Sequence, residues 1–223
     1  MNAGLQMRRT GDEGGGGGAA HRALAPAPAK IALGLFMCVV TVLFLLITIA
    51  YMGRAQFGDW QSLAGHPSRP LSDPWRLWIN TALLLASSVT LQWASVMARR
   101  GLQQRAFTAL LLGGLFAVGF LAGQLSAWEY LSNAGYFVSV NPAASFFYLI
   151  TGLHGLHLVG GLIAWAVTTT RTRRAVLTPR LRLHVQLVAM YWHFLFVVWL
   201  LMFGLMASPP ETIEALAALC GLR

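Results

Sequence analysis

Acidic residues are scarce in this chain of 223 residues: seven Asp and Glu stand against sixteen Lys and Arg, and charged residues make up only 10% of it. Soluble domains need about a quarter of their residues charged to keep a wettable surface, so a soluble domain is excluded. With 57% hydrophobic residues and a mean hydropathy of +0.61, the chain reads as an integral membrane protein. Cysteine is almost lacking as well. Cys38 and Cys220 cannot build a disulfide framework and match no zinc or redox spacing. No repeat of about 20 to 50 residues is evident, which excludes solenoids and propellers. The net charge of +9 and the pI near 10.8 invite a nucleic-acid reading. The basic residues, however, fall in short groups between long uncharged stretches, as juxtamembrane topology signals do, so no nucleic-acid partner is expected.

What is present is a tail followed by five apolar spans. Residues 1–29, with Gly14 to Gly18 unbroken and then Ala25-Pro26-Ala27-Pro28-Ala29, cannot bury a core and are predicted to be disordered. Ile31 to Gly53 carries no charge over 23 residues. That exceeds a signal-peptide core of about 7 to 15 residues and suits a retained transmembrane helix, since roughly 20 apolar residues cross the bilayer core. By the same ruler, spans are predicted at about 31–53, 77–98, 106–128, 143–169 and 183–207, with Asn133, Gly135 and Asn141-Pro142 marking the loop before the fourth. Residues 208–223 form a short external tail. The fold class is an all-α membrane protein, a bundle of five transmembrane helices.

Orientation follows from the loop charges. Twelve basic residues lie on one side: Arg8, Arg9, Arg22, Lys30, Arg99, Arg100, Arg105, Arg171, Arg173, Arg174, Arg180 and Arg182. Arg54, Arg69, Arg76 and Arg223 lie on the other, with Glu211 and Glu214. The N-terminus is therefore expected on the cytoplasmic side and the C-terminus outside. Trp60, Trp75, Trp78 and Trp128 fall near the membrane boundaries, where amphipathic aromatics settle.

Ionisable residues inside spans are costly and mark pores or proton relays. The first three spans have none apart from Glu129 at the end of the third. Asn80, Ser87, Ser88, Gln92 and Gln124 are instead the kind of amides and hydroxyls that join helices by hydrogen bonds. Gly119 and Gly123, and Gly160 and Ala164, are four apart and allow close backbone approach. The sharpest cluster is Thr151-Gly152-Leu153-His154-Gly155-Leu156-His157, with His193 in the last span. His154 and His157 share a helix face. Three imidazoles could hold a metal, or a pair on two helices a haem, but no Cys or carboxylate completes a zinc or copper set. Hydrogen bonding to helix carbonyls and hydroxyls is the simpler role. Tyr191-Trp192-His193-Phe194 and Trp199 make the last span aromatic, as bundle packing requires.

Several segments together resemble subunit III of the haem–copper respiratory oxidases. The second span carries Trp78, Asn80, Thr81, Ser87, Ser88 and Thr90 in the pattern W-x-N-T…S-S-x-T. The fourth reads Ser145-Phe146-Phe147-Tyr148-Leu149-Ile150-Thr151-Gly152-Leu153-His154-Gly155-Leu156-His157, close to S-x-F-F-x-x-T-G-x-H-G-x-H. The fifth, with Tyr191-Trp192-His193-Phe194 and Val198-Trp199, is similar to Y-W-H-F-V-D-x-V-W. The match runs in order over about residues 30–207, and five spans suit the short bacterial form. The resemblance implies a subunit of the bacterial cell membrane without a redox centre of its own. Haem and copper would sit in partner subunits I and II, phospholipid would be bound, and the chain would pack on subunit I, supporting proton uptake and durability. It also implies an internal polar and aromatic core of His154, His157, His193, Gln186 and Trp192, with Asn80 and Glu129 as further lipid or subunit contacts. The nearest alternative is an accessory protein of a nitric oxide reductase, and a small transporter is a distant one. The chain departs from the family pattern at three acids: Val40, Gln186 and Phe196 stand where the family has Glu, Glu and Asp. A protonatable role for those positions does not carry over.

Overall fold

The structure, a computed structural model, describes residues 26–63, 75–137, 141–219 and 221. Among these it is all helical: α1 Pro26–Arg54, α2 Trp75–Arg99, α3 Gln103–Asn133, α4 Pro142–Arg174, α5 Pro179–Ala207 and α6 Pro210–Leu219. The first five are long and apolar enough to cross a membrane. Each overruns its uncharged window by a few residues, because the backbone ladder continues through the basic turns that the charge criterion cuts off. The disorder expected for residues 1–29 needs correcting at its end. Pro26 to Ala29 already belong to α1, since proline is tolerated in a first helical turn, where its missing N–H has no partner to lose. The rest of that call, residues 1–25, lies outside the described residues.

The starts of α4 and α5 are written locally. Asn141 is extended and its side-chain oxygen accepts from Ala143 N, while Thr178 accepts from Leu181 N, each just before a proline. Gly101, at φ +78°, lets α2 turn back into α3 within a three-residue connection.

Helices α2 to α5 close a ring in which α2 packs on α3 and α5, and α4 on α3 and α5. The α2–α3 seam is the most extensive. A methyl group at Gly123 would overlap the Asn80 amide, and one at Gly114 the Trp165 indole, so the helices touch backbone to side chain there. Trp165 Nε1 donates to Leu110 O at 2.8 Å and Ser87 Oγ to Gly113 O at 2.7 Å, each using a carbonyl's second lone pair.

Helix α1 stands outside this ring, against α5 and α4, with α6 folded back on it. Its buried side is narrow, namely Val40, Phe44, Tyr51 and Met52, whereas Ile31, Leu35, Val39, Leu45 and Leu46 are exposed. Tyr51 meets Trp60 and Phe146 edge-on at 5.0 and 5.7 Å, and Asn141 Nδ2 donates to Gln61 O at 2.7 Å, so the end of α1 is tied to the start of α4. Past that end, Arg54 holds Asp59. The guanidinium hydrogen bond keeps the Asp59 carboxyl below its ordinary range. This clip is therefore formed at neutral pH and is lost as pH falls through the lowered value.

Candidate functional site

The middle of the ring is aromatic with a few polar pins. Trp199 of α5 is fully buried, and its Nε1 donates to Thr81 Oγ1 of α2 at 2.9 Å. Phe120 of α3 meets Trp199 edge-on at 4.9 Å and His154 of α4 at 5.9 Å. His154 lies 5.5 Å from the Trp199 ring. Four helices therefore meet at one level. One turn along α3, Gln124 Oε1 accepts from Asn80 Nδ2 at 3.5 Å. Nearer the loop, Trp128 Nε1 donates to Thr151 Oγ1 at 3.0 Å.

The seven residues singled out from the sequence do not form one cluster. His154 is 1% exposed, and neither ring nitrogen has a hydrogen-bond partner in the described structure. His157, one turn on, is half-buried and donates from Nδ1 to Leu153 O at 2.8 Å, while Tyr191 donates to the His157 carbonyl at 3.1 Å. Trp192 is buried with an unpartnered Nε1. His193, next along α5, is exposed and turned toward α2. Its Nε2 is 3.2 Å from Gln92 Oε1, an acceptor only, so Nε2 carries the proton and Nδ1 accepts from the Ser88 hydroxyl at 2.5 Å. His154 and His157 share the Phe44 ring while His193 is held by Ser88 and Gln92, so the three do not converge on one point. Asn80, read from the sequence both as a helix-joining amide and as a further lipid or subunit contact, is buried inside the α2–α3 seam and donates to Gln124. Glu129 is exposed near the C-terminal end of α3, and Gln186 is half-buried in the N-terminal third of α5.

The three acid-to-neutral positions also separate. Phe36, Val40 and Phe44 are one helical turn apart on α1. The His157 ring packs against both phenylalanines, at 6.3 and 5.7 Å, and His154 against Phe44 at 6.4 Å. Val40, 2% exposed, therefore faces the histidine pair with methyl groups. Phe196 packs on the core.

Two cavities flank α1. One, of about 390 Å³, is bounded by α1, α4 and α5 and is almost wholly apolar, with Phe36, Leu156, Gly160, Val188 and Trp192 among its walls. The other, of about 180 Å³, lies between α1, α2 and α5 and is walled by Lys30, Arg99, Gln92, Ser95, Gln186 and His193, with Leu187 and Met190. Sequence reasoning passed over Thr81, Phe44 and Phe120, and took Lys30 and Arg99 only as topology signals. Thr81 was visible in the second-span motif, but nothing in the sequence announced its pairing with Trp199.

Comparison with known proteins gives a consistent family. The family model for cytochrome c oxidase subunit III matches residues 12–207. A probable cytochrome c oxidase subunit 3 of Nocardia farcinica is 34% identical over 165 residues, 71% of this chain and 76% of that protein. Cytochrome c oxidase subunit 3 of Gallus gallus is 34% identical over 146 residues, 66% of this chain and 54% of that protein. A probable cytochrome c oxidase subunit 3 of Mycobacterium leprae is 38% identical over 126 residues, 55% of this chain and 61% of that protein. The chain thus spans three quarters of the Nocardia protein and little more than half of the other two.

Proposed function

The chain belongs to the cytochrome c oxidase subunit III family, and from that membership we propose that it is the non-catalytic subunit III of a bacterial haem–copper terminal oxidase. In this reading it lies in the cell membrane with its N-terminus in the cytoplasm, packs on subunit I beside subunit II, and leaves haem and copper to those partners. Its work is mechanical and lipidic: it braces the catalytic subunit, holds phospholipid and supports proton uptake during turnover.

The observation that carries this reading is the division of labour within the fold. The α2–α5 ring closes on Trp199, Phe120 and His154, with no carboxylate among them. Helix α1 stands apart over an apolar cavity of about 390 Å³, which suits an acyl chain. Support for proton uptake would therefore act through the partner's own path and not through residues of this ring.

Purification from the native membrane in mild detergent tests the assignment. The tagged chain should bring down haem-bearing partners, read from the reduced-minus-oxidised spectrum, with oxygen consumption in the same fraction. A chain that runs alone would sink the subunit reading. A complex that reduces nitric oxide and not oxygen would move it to the other enzyme class.

A further inference from the structure

The smaller cavity gathers polar side chains from three helices. On α2, Gln92, Ser95 and Arg99 recur at steps of three and four and share a face; on α5, Gln186 and His193 are two turns apart with Met190 between them. Lys30, the only lysine of the chain, joins Arg99 at the end where α1 begins and α2 finishes. Among the described residues the only ion pair is Arg54 with Asp59, so neither cation pairs with a described carboxylate.

Other hydroxyls of the spans turn back on their own helix: those of Thr48, Thr81, Ser126 and Thr172 donate to the carbonyl four residues earlier. Ser95 does not. It is 1% exposed, lines the cavity and bonds no described residue. His193 is already fixed by Ser88 and Gln92, so the Gln92 oxygen faces the imidazole and its N–H₂ remains a donor. Two cations, two amides and a hydroxyl therefore face one space with donors to give. Their complement is an anion that only accepts: a carboxylate, with two oxygens and about four lone pairs.

The donors run along the helices and not only across their ends. Arg99 to Gln92 is a step of seven residues, about 10 Å of helix, which takes this wall well inside the span. The approach to it is apolar: Leu187 and Met190 line the cavity, and one turn further along, Val89 on α2 and Val197 on α5 are exposed. A side chain on a neighbouring membrane-spanning helix fits both features, its acid in the cavity and its apolar face along α2 and α5. Acids inside a membrane persist where such pairing is offered, and interhelical hydrogen bonds hold spans together. Gln186 keeps the place open. Where the resembled family has a glutamate, this chain has the neutral amide, and a carboxylate there would pair with the cations from within the chain.

We propose that the cavity walled by Lys30, Ser95, Arg99 and Gln186 is a socket for a carboxylate side chain on a membrane-spanning helix of a neighbouring subunit. The proposal rests on the reading of the chain as a subunit of a larger membrane complex, and it names where one partner is fastened.

Carbodiimide coupling of the complex purified in mild detergent tests it, because the reagent joins an amine only to a carboxylate in contact, and Lys30 carries the chain's only side-chain amine. Peptide mass spectrometry should find Lys30 linked to an Asp or Glu in a spanning segment of another subunit. Lys30→Arg keeps the charge, should abolish the link and should leave the partner bound. Lys30→Gln with Arg99→Gln should lower the partner retained after a salt wash by about tenfold, and Gln186→Glu should lower the interchain link to a similar extent. Arg105→Gln with Arg173→Gln, which do not line the cavity, should change neither. A link only to this chain's own acids, no link at all, or equal partner retention in every variant would overturn the proposal. Haem absorbance in the same fractions scores the oxidase reading separately: an interchain link in a haem-free complex would sink that reading and leave the socket standing.

Discussion

Thr81 and His154 sit at the same level of the ring yet should respond oppositely to losing their polar atoms. Thr81 Oγ1 is the acceptor for the buried Trp199 N–H, so Thr81→Val leaves that donor unpaired and should cost about 1–3 kcal/mol. His154 has no partner to lose. His154→Phe removes two buried unsatisfied nitrogens and should be neutral or stabilising, the spread being set by how well the ring refills the site. Thermal melts of the detergent-solubilised protein check both, and a destabilised His154→Phe would mean the imidazole has a bonded partner. Glycines divide in the same way. Gly114→Ala drives a methyl into Trp165, expected to cost about 1–3 kcal/mol by overpacking, whereas Gly160→Ala points into open space and should leave the melt unchanged. Sequence spacing paired Gly160 with Ala164 as a contact motif. The structure uses Gly123, from the other such pair, and Gly114, which no such pair contained.

At the scale of elements, α1 differs from the rest. Its exposed face is mostly apolar and its main contacts are with α5, α4 and α6, so it is held by a narrow stripe centred on Val40 and Phe44. A carboxylate introduced by Val40→Glu would face His157 across that stripe, and its cost would depend on that imidazole being able to accept a proton. In a double-mutant cycle, Val40→Glu and His157→Phe should therefore be non-additive, with a coupling of about 0.5–3 kcal/mol. Additive effects would show that the two side chains do not meet. The boundaries of α1 to α5 were legible to within a few residues because apolar length is a direct requirement of the bilayer. The entry of Pro26 to Ala29 into α1 was not, since composition alone cannot distinguish a helical first turn from a tail.

For the whole molecule, the charge asymmetry predicts topology. Fluorescent-protein fusions should glow when attached at the N-terminus or the α2–α3 loop, and alkaline phosphatase should be active when attached after α5; the reverse pattern would invert the assignment. Gln186→Glu or Phe196→Asp alone should not raise sustained turnover of the complex. The first adds an acid to a cavity with no described carboxylate, and the second adds one to a packed core surface. A gain from either single change would show that a proton path reaches these helices.

By itself the sequence determined the membrane class, the number of spans and, through three motifs in order, the family. These properties rest on local quantities: apolar length and residue identity at fixed spacing. Only the tertiary structure decided which helices are neighbours, and so which polar groups are satisfied. Asn80 turned out to be spent on Gln124, His193 to be held by Ser88 and Gln92, and His154 to be enclosed by aromatic rings. It also gathered Lys30, Arg99 and Gln186, separated by up to 156 positions along the chain, around one cavity. Counting charges could show that acids were few. Only the packing of three helices could show which side chains from distant segments face one another.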